Sequence, residues 1–277
     1  HRRGRKMKIS VLMSVYNKEK CEYLDVALKS IVSQTLMPDE IVIVKDGILN
    51  EELENILKKY ESNYKSLIKI YDINEHVGLG KALAYGVKKC NYEYIARMDS
   101  DDFYVPDRLE KQVGYLNGHS ELDVLGGYIE ENDENLEVKL TTKKVPLTNE
   151  EIKKAIKFEC PMNHGTTIIK KAKLLEVGNY DETIIEDYDL WARMILKNAQ
   201  MANMPVVLSK NRTGIRMYKK RSSKNYIKGI KEIENKLYKY GLINRMECMV
   251  NKIVRITIAK APIKLKFKIY SFMRKIS

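Results

Sequence analysis

The 277-residue chain is poor in cysteine, and its four (Cys21, Cys90, Cys160 and Cys248) are scattered with no CxxC pair. That spacing excludes a zinc ribbon and a disulfide-stapled scaffold, and it fits a reducing compartment. No apolar run approaches the ~20 residues of a membrane-spanning helix. Residues 1–6 are basic with no apolar stretch behind them, so they are no signal peptide. They read as a vector remnant, with Met7 as the natural start. There is no internal repeat and no low-complexity linker. At 44% hydrophobic and 31% charged residues the composition is that of a globular chain, neither disordered nor collagenous.

Acidic residues are nearly missing from the last quarter. Residues 208–277 hold 20 Lys and Arg against three acids (Glu232, Glu234, Glu247), a net charge of +17. The overall +13 therefore combines this tail with a body of −4. A pI of about 9.3 first suggests nucleic acid. The asymmetry instead marks a basic tail with its own polyanionic partner.

The first half alternates short β-rich runs (9–14, 40–44, 68–72, 94–98) with helical patterns, among them 51–60 and 78–89, and Leu24, Ala27, Leu28 and Ile31 at helical spacing. Such alternation predicts βαβ crossovers and an α/β fold with a mostly parallel sheet flanked by helices. Ligands of such sheets bind outside the carboxyl ends of the strands. Tyr16-Asn17, Asp46 and the acidic run at 99–102 all fall at that edge. Further on, 106–116, 149–158 and 187–197 read as helices, and 124–129, 138–144 and 166–169 as strands. Residues 223–240 and 244–275 are long basic helical stretches, with Pro262 as a break.

Asp99, Asp101 and Asp102 place three carboxylates within four residues at a strand end. Crowded together they repel and raise one another's pKa, which a hard divalent cation such as Mg²⁺ or Mn²⁺ relieves. A solvated acidic turn is the plainer reading of an isolated cluster. Asp46, ending a neighbouring strand, suits a base N–H or a ribose hydroxyl, or simply a turn beside Gly47. Gly78 to Lys81 opens a helix whose amides and lysine suit an anion, or is an ordinary helix start.

Taken together, residues 10–17 (SVLMSVYN), 30–35 (SIVSQT), 40–47 (EIVIVKDG), 77–83 (VGLGKAL) and 96–102 (ARMDSDD) resemble family 2 glycosyltransferases in order and spacing. Residues 163–166 (NHGT) and 186–191 (EDYDLW) are similar to that family's acceptor-side motifs. The resemblance covers most of residues 7–218 and is nearest to the exopolysaccharide and O-antigen transferases of the amylovoran and colanic-acid type. It implies the GT-A fold, with its Rossmann-like sheet, and an inverting, metal-dependent transfer from a nucleotide-sugar, most often UDP-linked.

Carried over by position, the resemblance puts Val15, Tyr16, Asn17, Asp46, Lys81, Arg97, Asp99 and Ser100 around the nucleotide-sugar. It makes Asp101, with Asp99, the ligand of Mn²⁺ or Mg²⁺. It implies His164, Glu186 and Trp191 as the acceptor or donor-sugar pocket and Asp187 as the general base. The plainer readings are a core strand for Val15, a turn for Tyr16 and Asn17, a structural loop histidine for His164, and a helix N-terminus favoured by acids for Glu186 and Asp187. One departure stands out. Many family members carry a metal-completing histidine after the base helix, and the matching stretch here, 211–218 (NRTGIRMY), has none. The cation would then be held by Asp101 and the diphosphate alone, with Arg216 or Lys219 supplying positive charge to the diphosphate; the plainer reading of those two is a solvated basic loop.

In the tail, Ile253, Val254, Ile256, Ile258, Ile263, Leu265, Phe267, Ile269 and Phe272 interleave with lysines and arginines. Too charged to span a bilayer, residues 219–277 predict a basic amphipathic helical extension of the catalytic domain (1–218) lying on an anionic membrane surface. A terminal helix packed on the body is the other reading. The expected enzyme works in the bacterial cytoplasm, peripheral on the inner face of the membrane, on a polyprenyl-diphosphate-linked saccharide, with no nucleic-acid partner. Two other functions are a sugar nucleotidyltransferase and a non-catalytic anionic-surface or nucleic-acid binder. The first would normally carry a glycine-rich phosphate loop after the first strand, where this chain has Tyr16-Asn17-Lys18-Glu19.

Overall fold

The computed structural model describes residues 7–266, 268 and 269, apart from the side chains of Ile215 and Arg216. The expected vector remnant at 1–6, the Arg216 side chain, and Phe267 and the tail from 270 onward lie outside the described residues. In chain order the elements are β1 (Ile9–Tyr16), α1 (Cys21–Val32), β2 (Glu40–Asp46), α2 (Glu51–Asn63), β3 (Ile68–Ile73), α3 (Leu79–Lys89), β4 (Tyr94–Arg97), β5 (Phe103–Tyr104), α4 (Arg108–Gly118), β6 (Val124–Asn132), β7 (Lys139–Lys143), α5 (Asn149–Ala155), β8 (Ile168–Lys170), α6 (Lys171–Glu176), α7 (Glu186–Leu196), β9 (Met201–Arg212), α8 (Ile215–Lys220), α9 (Lys224–Lys239) and α10 (Arg245–Lys260). A 3₁₀ turn at His164–Thr166 precedes β8.

The strands form one sheet in the order β3-β2-β1-β4-β8-β6-β9-β5, with β7 on β6. The first four strands are parallel, as the alternating pattern predicts, and their registers set Tyr16 beside Asp46 and Leu12 beside Arg97. The other half is mixed. β7 returns from β6 through a short hairpin, which forces an antiparallel pair, whereas β6 and β9 are parallel because three helices intervene. β8 and β5 run antiparallel to their neighbours.

Alternation along β1 divides the core into two layers. Met13 and Val15 pack with Leu24, Leu28, Leu53 and Leu109 under α1, α2 and α4, while Leu12 packs with Leu83, Leu190 and Trp191 on the opposite face. Strands covered on both sides need continuous apolar runs, and β1 is buried along nearly its whole length.

The long strand β9 is not legible in the sequence because Pro205 interrupts it, and proline removes a ladder donor. The sheet absorbs Pro205 and Val206 at a shift of register between Met204 and Val207. The boundary at 218/219 is likewise not a structural one. Ile233, Leu237, Ile243 and Cys248 belong to the same buried cluster as Trp191, so α9 and α10 are built into the body. The break at Pro262 is present: α10 ends at Lys260. No helix among the described residues is long and apolar enough to cross a membrane.

Candidate active site

The carboxyl edge of β1, β2 and β4 is where the resemblance expects the nucleotide. Asp46 is buried, and its carboxylate accepts from the backbone N–H of Val77 (2.7 Å) and Gly78 (3.1 Å) and pairs with His76 Nδ1 (2.9 Å). Gly47 adopts φ +87°, and a Cβ there would lie 3.0 Å from the His76 nitrogen, so the loop after β2 needs glycine to lie this close. Tyr16 stacks on His76 with ring centroids 5.9 Å apart, and Asn17 is exposed next to it. Val15 is fully buried in the core, and it shapes this edge from beneath.

The acidic turn after β4 is tightly engaged. Asp99 pairs with the buried Arg97 guanidinium. Burial would raise the Asp99 carboxyl, but Arg97 outweighs it and holds the group below the usual carboxylate value. Ser100 Oγ donates to Glu19 Oε2 (2.7 Å), and both residues are buried. Asp102 accepts from Asn211 Nδ2, while burial with Asp101 and Asp99 nearby pushes its carboxyl well up. Burial, Asp99 and Glu19 push Asp101 up to about 7, and among the described contacts only its backbone carbonyl is engaged, by Arg212. Arg212 in turn lies over the Tyr23 ring at 4.0 Å and donates to the Glu134 carbonyl.

Arg108 on α4 holds the floor together. From full burial it donates to the carbonyls of Gly165 (2.8 Å) and Arg97 (2.9 Å) and to Gln112 Oε1 (3.0 Å). Gln112 continues to the carbonyls of Thr166 and Leu125. These bonds pin β4, the 3₁₀ turn and β6 together. The turn approaches so closely that a Cβ on Gly165 would sit 2.6 Å from Asp99 Oδ2.

On the acceptor side, His164 Nε2 bonds the Tyr180 hydroxyl at 2.8 Å and meets Trp191 edge-on at 5.9 Å. Burial and Arg97 push the His164 pKa down to about 4, so the ring is neutral near pH 7. Trp191 is fully buried and reaches the site only through His164. Glu186 and Asp187 open α7. Burial and Asp187 push Glu186 up to about 7. Asp187 Oδ1 accepts from the N–H of Tyr188 (2.8 Å), and Cys160 Sγ donates to Oδ2 (3.5 Å). Burial and Asp187 hold the Cys160 thiol well above its ordinary pKa, so it stays a neutral donor. Lys81 is exposed and pairs with Glu182, away from the acidic turn.

Arg97, Asp99, Asp101, His164, Glu186 and Asp187 lie near enough for their charges to act on one another, and Tyr16 and Asp46 end the neighbouring strands β1 and β2. Arg97 lies between the two sides: its charge acts on Asp99 and Asp101 and also on His164, Tyr180 and Glu186. Among the described residues no three His, Cys, Asp or Glu side chains converge as a ready-made metal cage. Two hard carboxylates, one of them crowded up to about 7, nevertheless fit a divalent cation completed by substrate phosphates. Sequence reasoning missed Glu19, Arg108, Tyr180, Asn211 and Arg212. The signal for the last two was the departure at 211–218, since they occupy the acidic turn in the stretch without histidine.

The sequence model described as Glycosyl transferase family 2 matches residues 10–178. The chain belongs to that family and is a glycosyltransferase. It is 39% identical over 234 residues to the amylovoran biosynthesis glycosyltransferase AmsE of Erwinia amylovora, covering 84% of this chain and 85% of the relative. It is 30% identical over 264 residues to the UDP-Gal:alpha-D-GlcNAc-diphosphoundecaprenol beta-1,3-galactosyltransferase of Escherichia coli, covering 95% of each. Its fold is similar to that of S. aureus TarS 1-349 in complex with UDP-GlcNAc (TM-score 0.63, 21% identity, 90% of this chain and 72% of that one). It is also similar to the mannosyltransferase PcManGT of Pyrobaculum calidifontis in complex with GDP-Man and Mn²⁺ (TM-score 0.65, 13% identity, 85% and 65%). The expected GT-A architecture is therefore the one this glycosyltransferase adopts.

Proposed function

We propose that this glycosyltransferase moves a sugar, with inversion, from a UDP-sugar to a polyprenyl-diphosphate-linked saccharide during assembly of a bacterial surface polysaccharide. The observation that carries the reading is that the acidic turn at 99–102 and Glu186, beside Asp187, share the field of Arg97. The donor and acceptor classes are supported by the Escherichia coli relative, whose name contains both UDP-Gal and a diphosphoundecaprenol. Work on such an acceptor belongs at the inner face of the cytoplasmic membrane.

In this reading Asp46 and Tyr16 receive the base. Oδ2 of Asp46 is shared by Gly78 and His76, whereas Oδ1 has Val77 as its one partner among the described contacts and keeps a lone pair for a base N–H. Asp101 and Asp99 would hold a bound divalent cation, which stabilises negative charge on the leaving diphosphate. Asp187 takes the proton of the acceptor hydroxyl as its oxygen attacks the anomeric carbon and the bond to the diphosphate breaks. Neutral His164, fixed by Tyr180, lines the sugar pocket without adding a charge to it.

A nucleotidyltransferase is disfavoured because the loop after β1 has an acid where that chemistry needs phosphate-binding amides: Glu19 is buried and bonded to Ser100. A thermal-shift panel of UDP-, GDP- and dTDP-sugars with and without Mn²⁺ tests the donor. Stabilisation by UDP-sugars with Mn²⁺ is expected, and stabilisation by GDP-sugars alone would overturn it. Mn²⁺-dependent release of UDP separates an enzyme from a binder.

A further inference from the structure

Helix α10 is turned inside out. A surface helix normally buries its apolar stripe and shows water its polar one. Here Met246, Met249, Val250, Ile253 and Val254, at the i, i+3, i+4, i+7, i+8 spacing of one face, are 48% to 71% exposed. The inward face buries only the small Cys248 and Ala259 and is otherwise polar. Arg255 Nη1 pairs with the fully buried Glu234 of α9 at 2.7 Å, and Asn251 Nδ2 reaches Glu234 Oε2 (3.1 Å) and the Lys157 carbonyl (2.7 Å). The capping box of Asn244 and Glu247 fixes where the helix starts and hence which way the stripe faces. An open groove of about 590 Å³ between α9 and α10 extends the apolar surface past Tyr238.

The surroundings say what covers the stripe. Between residues 245 and 268 five of the seven Lys and Arg (Arg245, Lys252, Lys260, Lys264 and Lys268) keep contact with solvent, Arg255 and Lys266 being turned inward, and the one acid, Glu247, lies 3.8 Å from Lys157. Two copies meeting through this face would bring like charges together, whereas an anionic bilayer matches both the apolar stripe and its basic flanks. We propose that the outward face of α10 is a membrane-docking surface that seats Met246, Met249, Val250, Ile253 and Val254 among the headgroups of an anionic bilayer. The same helix touches the acceptor side, because Arg255 lies 5.0 Å from the ring of Tyr188, the neighbour of Asp187. Docking through α10 therefore holds the base helix close to the lipid surface. This purpose rests on the lipid-linked acceptor proposed above, but the docking itself does not.

The test is co-sedimentation of the full chain with vesicles of phosphatidylcholine alone or with one-third phosphatidylglycerol, with no donor or acceptor present. Binding to the anionic vesicles only is expected. The double variant Ile253→Glu, Val254→Glu should lose it at least tenfold while retaining the wild-type melting temperature. Leu175→Glu on α6, an equally exposed apolar site, should bind as wild type. Unchanged binding by the double variant, or no binding by the wild type, would overturn the proposal. So would a wild-type dimer in sedimentation velocity that the double variant abolishes, since the stripe would then be an interface between copies. Binding that appears only after residues 270–277 are deleted would show that the chain's own end covers the stripe, and would overturn it too.

Discussion

At the strand ends proposed to receive the nucleotide, most carboxylates already have partners within the fold. Asp46 holds the backbone of the 76–78 loop, Asp99 holds Arg97, Glu19 holds Ser100 and Asp102 accepts from Asn211. On the acceptor side, Glu186 has no side-chain donor among the described contacts and is pushed up to about 7 by burial and Asp187. Asp187 has only a local amide and a neutral thiol. The first set builds a shape; the second, in the function proposed above, is the one that handles the proton. Asp101 is the exception on the nucleotide side: its carboxylate is crowded rather than paired, which is the condition a cation relieves.

The largest effect should come from Asp187→Asn. If the acceptor side does the proton chemistry, kcat falls by about 10²–10⁴-fold, the usual contribution of general-base catalysis, while donor binding by thermal shift is unchanged. Retained turnover with intact donor binding would remove the base from this position. Asp101→Asn tests the exception. It should cost on the order of 10²-fold in kcat and abolish the extra stabilisation that Mn²⁺ gives with UDP. An unchanged Mn²⁺ dependence would place Asp101 with the structural carboxylates instead.

The third test uses pH. Glu186 ionises near 7 when folded and near 4.5 when unfolded. Between those values the folded chain binds the extra proton, so stability is highest at the acid end of the window and falls as pH rises to about 7. At about 1.4 kcal/mol per pH unit the drop is about 3 kcal/mol. In Glu186→Gln denaturant titrations across pH 5–8 should show that much less of a fall, what remains coming from Asp101 and Asp102, whose carboxyls are raised too. A slope like that of the wild type would show that Glu186 is not crowded by Asp187.

The two sides also differ in how far they were legible. The nucleotide side is made of contiguous runs at strand ends, so local pattern and spacing already place Tyr16, Asp46 and Asp99 at one edge. The acceptor side is assembled from α4, the 3₁₀ turn, α7 and β9, far apart in the chain. Arg108 reads as one charge on a helix start, and nothing local shows that it is buried beneath Gly165 and Arg97. Asn211 and Arg212 end a strand that Pro205 conceals, and their partners in the acidic turn lie more than 100 residues away. In the tail, the interleaving of apolar and basic residues marked an amphipathic helix, but neither Met246 and Met249 as part of its stripe nor the direction in which that stripe faces. That direction depends on Glu234, a buried acid on the preceding helix.

The smallest effect should come from the group that joins the two sides from above. Lys220, exposed at the end of α8, acts with its charge on Asp99 and Asp101 and also on Glu186. It lies just past the stretch that lacks the family's histidine, close to Lys219, for which the sequence suggested the same task. A cation there can meet the charge that develops on the leaving diphosphate, and β9 keeps α8 in place through Arg212 and Thr213, whose N–H donates to the Asn132 carbonyl. Lys220→Ala should lower kcat about tenfold, less than either aspartate, because solvent and salt screen an exposed cation. Lys220→Arg should keep most of the rate, and the deficit of the alanine variant should shrink as ionic strength rises. If the alanine variant instead matches the wild type at low salt, the two sides are joined by Arg97 alone.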